Sequence, residues 1–161
     1  MGERKDMRIE WFGIAEASAR DARGAMTLVG VDQNIIVAPT LPMTVPRSFV
    51  LLIDDEGETP PVGTGGTLEF MAEAPSGRPV LAIGAQRLQV GEKQWPNLPG
   101  GIKLGFEVPL SVNEYGTHKM RVRVTFDDGT TLEQEKSVYV VPDDGRLAEA
   151  EASAAEVVAQ G

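Results

Sequence analysis

Few side chains in this sequence are equipped for covalent or acid–base chemistry. There is one histidine, His118, and no cysteine. The missing thiols exclude a cysteine nucleophile, a disulfide framework, a Cys-based zinc site and an iron–sulfur cluster. A Ser-His-Asp triad or a histidine metal site would have to be built on His118 alone. That residue follows Gly116 and precedes an amphipathic stretch, which predicts an ordinary surface or turn histidine.

Carboxylates gather in three acidic turns: Asp54-Asp55-Glu56-Gly57-Glu58, Asp127-Asp128-Gly129 and Asp143-Asp144-Gly145. Loops meeting at one end of a β-sandwich can hold calcium with such groups. None of the three has EF-hand spacing. Asp-Gly is also common hairpin vocabulary, so plain turn chemistry is the expected role. The spacing gives no support to a glycosidase carboxylate pair. Residues 62–67, Val-Gly-Thr-Gly-Gly-Thr, are glycine-rich. They lack the lysine and the following helix of a phosphate loop, so a flexible connection is expected. Trp95, between Gln94 and Pro96, would serve as a sugar platform or partner contact, or would plug the end of the core. Trp11 is expected in the core. The basic stripe Lys119, Arg121 and Arg123 reads as a solvated strand face. Asp54, Asp55, Glu56 and Trp95 are the candidate ligand or partner contacts. No residue is assigned a catalytic, cofactor-binding or metal-ligating role, and no cofactor is expected.

The elements that would position these groups are strands. Short apolar runs alternate with Gly, Pro and Asp clusters, the rhythm of strands and turns. The run 8–16 carries Ile9, Trp11, Phe12 and Ile14 on both faces, as a covered strand should. A second run, 25–31, should pair with it as a hairpin or neighbour. Pro39, Pro42 and Pro46 follow, and each lacks the N–H that a ladder needs. An extended edge segment or crossing loop is therefore expected there. Residues 49–53 form a strong strand, and 54–66 the longest irregular stretch. Leu68, Phe70 and Ala72 alternate with Glu69 and Glu73, a half-buried strand. Residues 80–90 form one long strand or two short ones. Ile102, Leu104, Phe106 and Val108 alternate with polar residues, as do Met120, Val122, Val124 and Phe126.

The last hairpin permits an argument about register. A two-residue turn would set Val124 against Glu133 and Val122 against Glu135. A three-residue turn, with Gly129 left-handed in a type I turn plus G1 bulge, sets Val124 against Leu132, Arg123 against Glu133 and Arg121 against Glu135. The second choice satisfies both faces and is the expected one. Two exposed ion pairs worth about 0.5 kcal/mol each would select this register more than stabilise it.

Together these elements predict an all-β fold, an antiparallel β-sandwich of about seven to nine short strands, with a partly open barrel as the alternative. The sequence has 161 residues, of which 42% are hydrophobic, enough for one core. Residues 1–7 read as a flexible leader and 8–142 as the sandwich domain. Residues 143–161 read as an acidic, Ala-rich tail, a frayed helix or disordered segment with a thin apolar face. The net charge of -9 argues against nucleic acid and against anionic membranes, both of which need basic surfaces. The first ten residues lack the apolar core of a signal peptide, and no run is long enough to span a bilayer, so a cytoplasmic location is expected.

The segment 11–42, WFGIAEASARDARGAMTLVGVDQNIIVAPTLP, resembles an uncharacterised bacterial or phage family of small β-rich proteins, a domain of unknown function. The resemblance rests on Ala15-Glu16-Ala17 ending the first strand, on Gly24 and Gly30 bracketing the second, and on Pro39 and Leu41-Pro42. It extends loosely to 116–126. It implies a sandwich-like fold and a bacterial or phage origin, and it implies no activity. The functional expectation is a non-enzymatic protein-interaction or scaffold module, acting on an unknown protein partner or by self-association. The alternative is a small-ligand or carbohydrate-binding sandwich using Trp95 and the 54–66 loop, with calcium assisting.

Overall fold

The computed structural model describes residues 7–23, 25–32, 34–54, 62–92 and 101–145, with Asp54, Ala82 and Gly101 described by backbone alone. Ten strands occur among them: β1 Arg8–Ala15, β2 Ala17–Arg20, β3 Met26–Val29, β4 Ile35–Val37, β5 Met43–Asp54, β6 Gly65–Glu73, β7 Pro79–Gln89, β8 Gly101–Val112, β9 Gly116–Phe126 and β10 Thr131–Val141. They form a three-stranded sheet, β1-β5-β8, a five-stranded sheet, β4-β10-β9-β6-β7, and a two-stranded ribbon, β2-β3. The all-β sandwich is as expected. Ten strands exceed the seven to nine anticipated, and the β4–β10 pair is parallel where every pair was expected antiparallel.

The two sheets face each other through side chains of one parity. Phe12, Ile14, Phe49, Leu51, Ile53, Val108 and Leu110 come from the smaller sheet. Phe70, Met120, Val122, Val124, Phe126, Val138 and Val140 meet them from the larger one. Each such side chain is worth about 1.5–3 kcal/mol when fully buried. An aromatic cluster sits where the layers meet. Phe49 lies 4.7 Å from Phe70 across the interface and 5.7 Å from Phe106 within its own sheet.

The β9–β10 hairpin has the expected register: Val124 faces Leu132, Arg123 faces Glu133 and Arg121 faces Glu135. The Gly129 amide donates to Phe126 O, and Gly129 has φ +90°, the left-handed residue of the bulged turn.

Four expectations are corrected. First, β1 does not pair with the second run. It pairs with β5, while 17–20 and 26–29 make a separate ribbon. The ribbon folds over the outer face of the small sheet. There the Ser18 hydroxyl donates to Ser48 Oγ at 3.0 Å, and Met26 rests on Gly105. This second layer explains why Ala15, Ser48 and Val50 are buried although they point away from the main core. Second, Trp11 is half-buried on that outer face, its indole lying over Gly13, and is not a core residue. Third, Pro46 lies inside β5, a central strand. It sits opposite Pro109, beyond Ala15–Ser48, where β1 ends. Two prolines can oppose each other only as a non-hydrogen-bonded pair. Their nitrogens then point to sides with no neighbouring strand, so neither ladder loses a bond. Fourth, residues 65–67 of the glycine-rich segment belong to β6, which pairs with both β7 and β9.

Candidate functional site

The strand directions gather several sequence candidates at one end of the sandwich. β5 finishes there at Asp54, β6 begins at Gly65, β7 finishes at Gln89, β8 begins at Gly101 and β9 finishes at Phe126. Asp54 closes the β5 ladder opposite Gly101 and Arg8. Asp55, Glu56 and Trp95 lie outside the described residues, as does 146–161 of the tail. Asp127 belongs to this end, but Asp143 follows β10 at the other. The eleven residues of that strand separate the two turns by about 35 Å, so these carboxylates do not converge. No group of three His, Asp or Glu side chains is placed to hold a metal among the described residues.

Asp127 is engaged by Arg87 in a two-pronged contact, Nη1 to Oδ1 at 3.0 Å and Nη2 to Oδ2 at 3.1 Å. The hydrogen bond from Arg87, with its charge, holds the Asp127 carboxyl below its ordinary value. Any side chain at Gly65 would collide with both partners, so the glycine there makes room for an ion pair.

His118 is not a turn histidine. It is 0% exposed in β9, pointing inward beside Met120. Its Nδ1 lies 3.3 Å from Gly116 O. A carbonyl oxygen only accepts, so Nδ1 carries a proton, and Nε2 is buried with no hydrogen-bond partner among the described residues. The imidazole is a filler of the core with one unmet ring nitrogen among the described residues.

The outer face of the five-stranded sheet divides into a charged part and an apolar part. The basic stripe of β9 is flanked by acids on both sides. Arg123 faces Glu133 and Glu69, and Lys119 faces Glu73. Arg121 Nη2 reaches Glu135 at 3.0 Å, and Arg123 Nη2 reaches Glu133 at 2.7 Å. Its positive charge is thereby neutralised within the sheet.

The apolar part is at the β4 edge. Along β10 the outward residues run Glu133, Glu135, Ser137, Tyr139 and Val141. Tyr139 is 43% exposed, Val141 36%, and Ile35 opposite Tyr139 is 54% exposed. The edge is held stiffly. Tyr139 N donates to Asn34 O at 2.7 Å, and Ala38 N to Val141 O at 2.9 Å. Lys136 pairs with Asp32 just before β4, and the Tyr115 hydroxyl donates to Ala38 O just after it at 3.0 Å. In a parallel ladder alternate residues bond to one side. With residues 34, 36 and 38 bonded to β10, Ile35 and Val37 direct their amides and carbonyls to the open edge. The sequence reading expected an extended edge segment at Pro39, Pro42 and Pro46, and missed Tyr139 and Val141. The signal was present: 138–141 is apolar at every position, unlike the alternating first half of the same strand.

No protein-family model and no curated protein matches the chain. Solved structures that match the chain include a conjugative transposon lipoprotein from Bacteroides eggerthii, 14% identical over 64% of this chain and 90% of that one, with a TM-score of 0.37. A superoxide reductase (neelaredoxin) from Ignicoccus hospitalis is 13% identical over 67% and 74%, with a TM-score of 0.36. An immunoglobulin-like protein from Pseudomonas aeruginosa is 14% identical over 87% and 100%, with a TM-score of 0.32. Among the described residues no helix is long and apolar enough to cross a membrane.

Proposed function

We propose that this chain is a non-enzymatic protein-interaction module whose β4 edge receives an extended segment of a partner protein. The observation that carries the reading is the coincidence of two features. An open, clamped edge strand lies beside the exposed apolar trio Ile35, Tyr139 and Val141. Strand addition draws affinity from main-chain hydrogen bonds and specificity from alternate side chains. Both are on offer here, with the trio as the side-chain surface. Each of the three has roughly half its surface left to bury, about 1 kcal/mol apiece. Together they would account for about a hundredfold in affinity. A cytoplasmic setting and membership of the β-rich family suggested by residues 11–42 belong to the same proposal.

The test is capture from the native host's lysate with three chains: wild type, the double variant Ile35→Lys/Tyr139→Lys, and Val62→Lys as an exposed apolar control. A stoichiometric protein held by wild type and the control, and lost from the double variant, supports the reading. A partner held equally by all three chains refutes the placement. Sedimentation of the purified chains shows whether the partner is a second copy.

A further inference from the structure

A cleft on the opposite layer is separate from the β4 edge. It opens where the β2–β3 ribbon crosses β8, and has a volume of about 420 Å³. Ser18, Arg20 and Met26 border it from the ribbon, and Lys103, Leu104 and Gly105 from β8. Met26 rests against Gly105, where no side chain intervenes, so the ribbon approaches the sheet closely there.

The charges are what set this cleft apart. Among the described residues, every other lysine and arginine takes part in an ion pair, a hydrogen bond or a further interaction. Arg20 and Lys103 alone make none, and both line the same cleft. The chain has 24 acidic residues against 15 basic ones, so carboxylate partners are not scarce. Two cations brought together without a counter-charge repel each other, and an anion between them would relieve that repulsion.

We propose that this cleft binds a small phosphate monoester carrying a compact apolar group. A phosphate monoester bears a charge of about -1.5 to -2 near neutrality, matching the two cations. The planar Arg20 guanidinium suits two phosphate oxygens, and the Lys103 ammonium a third. A carboxylate would engage one cation and leave the other unmatched. The apolar substituent would lie against Met26, over the bare backbone of Gly105. The cleft is of the size that accepts a compact molecule.

Amide chemical-shift mapping and calorimetry on the full chain, with phenyl phosphate as the probe, test the proposal. Inorganic phosphate, benzoate and phenol are the comparison ligands. Phenyl phosphate should perturb 18–20, 26 and 103–105, and bind about tenfold more tightly than any comparison ligand. Arg20→Gln and Lys103→Gln should each weaken it about tenfold, the loss of one charge-assisted hydrogen bond. Arg78→Gln, at the far end of the sandwich, should leave it unchanged. Both cleft side chains are exposed, so these variants should fold, and the mapping on wild type needs no variant. Failure of phenyl phosphate to bind at millimolar concentration would overturn the proposal. So would perturbation elsewhere, undiminished binding to Arg20→Gln/Lys103→Gln, or equal binding of inorganic phosphate. Tighter binding of a phosphotyrosyl peptide would overturn the small-molecule assignment. None of these results bears on the β4 edge.

Discussion

Replacing Phe49 and Phe70 by leucine, singly and together, probes the contact that joins the two sheets. Both rings are buried, with centroids 4.7 Å apart and planes inclined at 50°. Phe49 also meets Phe12 at 6.1 Å and Phe106 at 5.7 Å, and Phe70 meets Phe106 at 5.3 Å. Each single change keeps an apolar side chain and should cost about 1–1.5 kcal/mol, the upper range for a near-isosteric core swap. A direct aromatic contact adds about 0.5–1.5 kcal/mol beyond burial. Once one ring is gone, removing the other forfeits nothing further from that pair. The double variant should therefore lose less than the sum of the singles, by about 1 kcal/mol. Urea unfolding monitored by circular dichroism reads each term. Additivity within about 0.3 kcal/mol would mean that the rings do not touch, and would refute the face-to-face packing that positions the β4 edge.

Four further substitutions check particular residues. Gly129 has φ +90° with open space around it, so Gly129→Val should cost about 1–2 kcal/mol through backbone conformation alone. Gly84 has equal space and an ordinary φ, so Gly84→Ala should be neutral or stabilising, and a melting comparison separates the two. His118→Leu removes the unmet Nε2 along with one long hydrogen bond, so stability should stay within about 1 kcal/mol or rise; a loss above about 3 kcal/mol would show a partner for Nε2. The Ser76 hydroxyl, with Arg78 also contributing, holds the Glu114 carboxyl below its ordinary value. A depressed carboxylate stabilises the fold above its unfolded pKa and ceases to as pH falls through its folded pKa. Glu114→Gln should therefore lower the melting temperature near neutrality and narrow its gap to wild type on acidification. A gap that stays constant across that range would contradict the assignment.

The parts of the fold that were legible in the sequence are those in which one face is wet and the other dry. β9 and β10 announce their register because Val124, Arg123 and Arg121 each demand a different kind of neighbour, and only one turn supplies all three. β6 and β8 are legible for the same reason. The ribbon was not, because residues 17–20 and 26–29 bury one side against a sheet face that is itself unusual in being covered. Local periodicity carries no information about that second layer, so Trp11 read as core when it caps Gly13 on the outside. His118 misled in the opposite direction: a polar residue near a glycine suggests a turn, yet the strand's parity already placed it on the side of Met120 and Val122. Pro46 read as an edge because the rule on missing amides is local, whereas its tolerance depends on where β1 happens to stop. The β4 edge was half legible, through the prolines that follow it, because its other half comes from a strand a hundred residues further along the chain.

The most direct test of the interaction reading is the capture comparison at the β4 edge. Ile35→Lys/Tyr139→Lys alters exposed positions and should leave the melting temperature within the range that about 0.5 kcal/mol allows. The expected result is a single stoichiometric partner bound by wild type and by Val62→Lys, with binding weakened about thirtyfold in the folded double variant, which loses two of the three apolar contacts. A partner that the double variant retains at wild-type affinity would contradict the assignment of this edge.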